Sequence, residues 1–198
     1  MSQEHKRHQV VGRGIPLPGH DIDTDRIMPA RYLKSVTFKG LERHVFEDDR
    51  RQASDHPFNH PRYHGASILI VGRNFGSGSS REHAPEGLRL WGIRGLVGES
   101  FAEIFIGNCI ALGLPCLTLA PEDVMWLMET VAGNPKQEIV LDVEHRVVKF
   151  GDRTIPARLA DAHHHQLVTG TWNATGALLE AGEAIDRVAK RLPYISGY

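Results

Sequence analysis

A chain of 198 residues in which 41% of side chains are hydrophobic and 24% charged can close one domain around a full core and would be cramped as two. Its 23 Lys and Arg face 24 Asp and Glu, a formal net charge of −1, which argues against nucleic acid or an anionic membrane as partner. No apolar run nears the roughly 20 residues of a membrane span. The polar, basic start of the chain also lacks the apolar stretch of a secretory signal. The expectation is a cytoplasmic protein with a single domain over 1–198, in which 1–9 form a flexible tail.

In chain order, residues 10–17 read as a strand, closed by Pro16, Pro18 and Gly19. Residues 21–25 then place three carboxylates in five positions, but the Gly and terminal Glu of a calcium hand are missing. The segment reads as an Asx-type turn, with Thr24 or Asp25 capping a short turn that starts at Arg26. Residues 34–51 are polar, with Gly40 as a hinge and a short amphipathic helix expected over 41–50. From 53 to 65 the histidines His56, His60 and His64 recur every fourth residue. Pro57 and Pro61 break the helix that would align them on a metal, so a loop is expected. Residues 67–71 form an apolar, β-branched run typical of a buried strand.

The next stretch, residues 74–85, carries the richest chemistry. Gly76 and Gly78 allow a sharp turn and close backbone approach to a ligand. Ala84, Leu88 and Trp91 share one face of a following helix, and Ser79 and Ser80 stand where they would cap it. Two hydroxyls, the Arg81 guanidinium and a helix N-terminus together suit a carboxylate or phosphate. The plainer reading is a capped turn with Arg81 in solvent.

Beyond it the chain alternates between strand and helix. Residues 93–97 are a strand, 101–112 a helix ended by Gly113 in a left-handed cap, and 115–119 another strand. Pro121 opens a helix whose apolar face is Val124, Leu127, Met128 and Val131. Residues 138–141 and 146–150 read as a hairpin with 154–157 as a third strand, and helices follow at 162–167 and from 174 to 190. Cys109 and Cys116, the only cysteines, match no ligand spacing and read as reduced core residues. His163, His164 and His165 point in three directions on a helix and suit a solvated face. The sum is a mixed α/β domain.

The run Gly76-Ser77-Gly78-Ser79-Ser80-Arg81-Glu82-His83-Ala84-Pro85 resembles the signature of the swivelling domain of the aconitase superfamily. Within it, the closest resemblance is to the separate small subunits of the 3-isopropylmalate dehydratase family. Asp21-Ile22-Asp23-Thr24-Asp25-Arg26-Ile27-Met28-Pro29 resembles that family's Asp-Thr-Asp segment. Tyr32-Leu33-Lys34-Ser35-Val36-Thr37 lies where the family carries its substrate-selecting loop. Weaker similarity continues through residues 100–105 and Asn108.

This resemblance implies an α/β fold of the swivelling β/β/α type, like the aconitase C-terminal domain, with a mixed sheet or barrel and flanking helices. It implies Ser79 as the proton-abstracting base, Arg81 as a clamp on a substrate carboxylate and Asp25 close to both. Gly78 and Ser80 would bind substrate, as would Tyr32, Leu33 and Lys34 from the selecting loop. Met28 stands where aconitases place a serine, so that contact is not inherited. The family's [4Fe–4S] cluster cannot be held by two thiols, so this chain is expected to bind no cofactor and no metal, and the cluster is expected on a partner large subunit. The implied activity is hydro-lyase chemistry in a heterodimer or heterotetramer. The substrate would be a small hydroxy-dicarboxylate, 2-isopropylmalate isomerised to 3-isopropylmalate in leucine biosynthesis. The loop offers Lys34, Lys39 and Arg43 beside Leu33, Val36 and Phe38, which leaves 2-methylmalate (with citraconate) and dimethylmalate open as substrates. A non-catalytic carboxylate-binding module and a purely structural subunit are the readings outside catalysis.

Overall fold

The computed structural model describes residues 5–33, 37–78, 81–174, 176 and 181–192. Its frame is a seven-stranded sheet in the order β4-β3-β2-β1-β5-β6-β7. The parallel half comprises β1 (Gln9–Leu17), β2 (Ile68–Val71), β3 (Gly95–Gly98) and β4 (Cys116–Thr118). The antiparallel half is β5 (Glu138–Asp142), β6 (Val147–Phe150) and β7 (Arg153–Pro156). Strand β1 joins the halves by dividing its length. Gln9 to Arg13 pair with β5, while Gly14 to Leu17 pair with β2. After β7 the chain returns to β4, where Thr118 and Arg158 exchange backbone hydrogen bonds of 3.0 and 2.8 Å and draw the sheet toward a barrel.

The alternation of side chains along the strands builds two cores. Ile68 and Ile70 face α5 (Pro121–Gly133) and the antiparallel strands, packing with Leu127, Val131, Ile139 and Val148. Leu69 and Val71 face the other way, toward α3 (His83–Trp91) and α4 (Glu103–Ala111), packing with Leu88 and Phe105. A strand covered on both faces must be apolar at every position, and all four residues of β2 are buried. Gly113 takes the left-handed conformation (φ 69°) that the helix end requires. Cys109 and Cys116 are free, buried and part of the core.

Three local readings change, and the histidines of 53–65 gain a role. The segment expected to fray is tied down from His5 onward: Arg7 N–H donates to Leu167 O at 2.9 Å and Trp172 Nε1 to His5 O at 2.6 Å. The helix expected over 41–50 splits into a 3-10 turn (Leu41–His44) and α2 (Glu47–Gln52), with Phe46 left-handed at φ 53° between them. Val45 and Phe46 are both fully buried, and the break lets adjacent residues reach the same core. Arg50 donates to the Arg43 and Val45 carbonyls that the break leaves open. The recurring histidines serve as caps. His56 Nδ1 accepts from Phe58 N–H at 3.2 Å and His60 Nδ1 from Arg62 N–H at 3.3 Å, at the starts of the 3-10 turns Pro57–Asn59 and Pro61–Tyr63. That role requires an unprotonated Nδ1, and burial holds the His56 pKa below its ordinary value. In α6 (Asp161–Thr169), His164 is half-buried with Nε2 3.1 Å from Glu144 O, so the three histidines do not form a purely solvated face. The reading of 174–190 falls partly outside the described residues, which place a last helix at Gly182–Ala189.

Candidate functional site

Parallel strands direct their following loops to one edge of the sheet, and ligands of open α/β sheets bind beyond those carboxyl ends. Here the loops after β1, β2 and β3 are bonded to one another. Asp21 N–H donates to Arg73 O (2.9 Å), Gly76 N–H to Ile22 O (2.7 Å) and Thr24 N–H to Ser77 O (2.9 Å). From the third loop, Ser100 Oγ accepts from Asn74 N–H at 2.8 Å, and Ser100 O from Phe75 N–H at 3.1 Å. Two non-glycine residues adopt left-handed backbone at this junction, Asp21 (φ 55°) and Asn74 (φ 53°). Asn74 Nδ2 donates to Asp21 Oδ1 at 2.9 Å, and Asx residues tolerate this region best. That hydrogen bond, with Arg73 nearby, lowers the Asp21 pKa. Gly76 is obligatory: its φ is 78°, and a Cβ there would stand 2.3 Å from the Phe105 ring. Gly78 (φ 95°) is exposed beside Thr24 and Asp23.

The structure thus joins the Asp-Thr-Asp segment to the Gly-Ser segment, and the charged groups follow. Asp23, not Thr24 or Asp25, caps α1 (Thr24–Ile27), its Oδ1 accepting from Arg26 N–H at 2.8 Å. Asp25 is therefore free on the first turn, where it accepts from Arg81 Nη1 across 56 positions of sequence. Asp25 is 53% exposed and Arg81 only 16%, so Arg81 is not a solvated side chain. Helix α3 begins later than its capping serines implied. Its N-cap is Glu82, which makes no side-chain cap bond. Ser79, Ser80 and Lys34 lie outside the described residues.

The chain matches the family of the aconitase C-terminal domain over residues 5–122. Small subunits of 3-isopropylmalate dehydratase from two strains of Thermus thermophilus are 50% and 49% identical over 189 residues, covering 93% of this chain and 94% of each relative. The small subunit from a Synechocystis species is 46% identical over 188 residues, with 94% of both chains covered. This chain belongs to that small-subunit family. The crystal structure of 3-isopropylmalate dehydratase from Methanocaldococcus jannaschii shares the fold. Its TM-score is 0.66 at 23% identity, over 88% of this chain and 99% of that one.

The described residues on either side of 34–36 are both anchored. Tyr32 OH donates to Glu47 Oε2, and its ring stacks on His44 at 3.7 Å between centroids. Tyr32, then His44 and Arg31, hold the Glu47 carboxyl below the usual range. The Tyr32 hydroxyl is thus committed to anchoring the loop's start on α2, whereas Leu33 is half-buried behind it. At the far end Phe38 meets the edge of His83 at 5.1 Å, which brings the loop to the start of α3, close to Arg81 in sequence. His83 and Ser100 went unread as parts of the site. An aromatic–imidazole contact 45 positions apart leaves no local signal in the sequence.

The two cysteines do not fit an iron–sulfur cluster. Both are buried in the core, and burial pushes the Cys109 thiol up, away from the thiolate a metal needs. Among the described residues no group of three His, Cys, Asp or Glu could hold a metal, and no helix is long and apolar enough to cross a membrane.

Proposed function

We propose that this chain is the small subunit of a hydro-lyase that interconverts 2-isopropylmalate and 3-isopropylmalate, as in leucine biosynthesis, and that it works only when closed over a large subunit. The observation that carries the reading is the backbone bonding of the Asp-Thr-Asp segment to Gly76 and Ser77 at the carboxyl ends of β1 and β2, with Arg81 paired to Asp25. Arg81 clamps a substrate carboxylate with its two-pronged guanidinium. Asp25 holds that guanidinium until substrate arrives. Ser79 Oγ takes the proton next to the carboxylate, an act that needs N–H donors and Arg81 to stabilise the alkoxide. Gly78 and Ser80 shape the backbone against the substrate, and Leu33 and Lys34 meet its side chain, with Tyr32 anchoring their loop. The Lewis acid for the leaving hydroxyl is left to the large subunit, as its [4Fe–4S] cluster, because this chain's cysteines do not fit one.

The test is reconstitution with a candidate large subunit, as heterodimer or heterotetramer, assayed by alkene absorbance from 2-isopropylmalate, 2-methylmalate and dimethylmalate. Activity with 2-isopropylmalate only in the mixture supports the reading, and preference for another malate reassigns the substrate. Carboxylate binding by this chain without turnover in any mixture would leave a binding module instead.

A further inference from the structure

At the opposite end of the sheet from this site, a cavity of about 690 Å³ opens beside the amino ends of β1 and β3. That volume lies within the range of small-molecule sites, roughly 300–1,000 Å³. Its lining contains Lys6, Arg7, Arg89 and Arg94 and, among the described residues, no carboxylate. In a chain of net charge −1, four cations around one concavity create a local positive field, which low-dielectric walls concentrate.

Two of the four are engaged. Arg89 donates Nε and Nη2 to Glu86 at 2.8 and 2.6 Å, and Arg7 lies over the Trp172 ring at 5.0 Å. The Lys6 ammonium and the Arg94 guanidinium have no ion-pair partner among the described residues. Elsewhere Arg26, Arg31, Arg51, Arg73, Arg146 and Arg153 each meet a carboxylate, whereas Lys6 and Arg94 share one concave lining that, among the described residues, holds none. Val11, 50% exposed, adds apolar surface to the same cavity, as does the half-buried Trp172.

We infer that this cavity binds a small amphiphilic anion, its phosphate or carboxylate head taken by Lys6 and Arg94 and its apolar body covering Val11 and Trp172. The inference does not rest on the reading of the Ser-Ser-Arg site, and its test separates the two.

The intact chain is titrated by calorimetry with phenyl phosphate, phenylacetate and, as the neutral control, benzyl alcohol. One anion is expected to bind one-to-one with a Kd of about 1 mM or tighter, more weakly as salt is added, while benzyl alcohol does not bind. Whichever anion binds more tightly identifies the head group as phosphate or carboxylate. Lys6→Glu and Arg94→Glu should each weaken that binding by roughly 10-fold or more, since a charged hydrogen bond is lost. Lys6→Gln and Arg94→Gln serve if charge reversal impairs folding. Arg81→Gln, at the other end of the sheet, should leave phenyl phosphate and phenylacetate binding unchanged. Failure of both anions to bind, indifference to the Lys6 and Arg94 changes, or loss in Arg81→Gln would each overturn the assignment.

Discussion

Asp142, at the turn between β5 and β6, is 1% exposed and receives four donors, whereas Asp25, on the first turn after β1, is 53% exposed and receives one guanidinium. Around Asp142 stand Gln9 Nε2 at 3.2 Å, His145 N–H at 3.0 Å, His145 Nδ1 at 2.9 Å and Lys149 Nζ at 3.1 Å. Burial alone would raise its pKa, but the His145 and Lys149 bonds outweigh burial and hold it at about 2. A carboxylate so enclosed cannot change partners without being left buried and unpaired itself, whereas its donors His145 and Lys149 reach solvent. Asp25 can release Arg81 to another carboxylate at little cost, because water replaces the lost contact. The hairpin end of the sheet is built for permanence and the loop end for exchange.

The largest expected effect lies at the loop end. Ser79→Ala in the reconstituted enzyme should lower turnover by roughly 10²–10⁴-fold with the thermal midpoint nearly intact, as for loss of a positioned base. Ser80→Ala should change stability by less than ~0.5 kcal/mol, since the N-cap of α3 is Glu82. Normal turnover in Ser79→Ala would remove chemistry from this end.

At the hairpin end, Asp142→Asn should cost about 3 kcal/mol of stability, the free energy of a pKa held near 2 against about 3.9 in the unfolded chain. Because the folded pKa is the lower one, this stability is present above the unfolded value and is lost as pH falls from about 4 toward 2. Denaturant unfolding at pH 7 and pH 3 measures it: the wild type should lose about half of the increment between these values, and Asp142→Asn should have little to lose. An unchanged pH slope in the variant would break the contrast.

Arg81→Lys keeps the charge but loses the planar fork, so kcat/KM should fall by roughly 10-fold. Unaltered kinetics would place the guanidinium away from substrate. Asp25→Asn should cost folding little, under ~1 kcal/mol in thermal or denaturant unfolding, as for other exposed ion pairs. A loss as large as that of Asp142→Asn would show that the Asp25–Arg81 pair is structural and not exchangeable.

Periodicity made most elements legible. The apolar run at 67–71, the helical face of Val124, Leu127 and Val131 and the hairpin after residue 138 all appear near their expected places. The candidate site was legible only as separate segments, through their motif residues Asp25, Gly78 and Arg81. What could not be read was each group's partner. Three acids in five residues are equivalent by composition, yet only Asp23 has the extended backbone that places its carboxylate on the Arg26 N–H.

The sequence by itself determined most strand and helix segments, the left-handed helix end at Gly113, a cysteine count too small for a four-cysteine cluster and the membership in a small-subunit family. Each depends on local periodicity, on the backbone freedom of single residues or on the identities present. Tertiary structure alone decided that β1 serves both halves of the sheet, that His56 and His60 act as caps, and that Asp25 meets Arg81. It also decided that Lys6 and Arg94 share one cavity. The ion pair and the shared cavity join residues 56 and 88 positions apart, and such contacts depend on which strands become neighbours. That choice is made by burying both faces of β2 at once, a condition on the whole core that no short window of sequence contains.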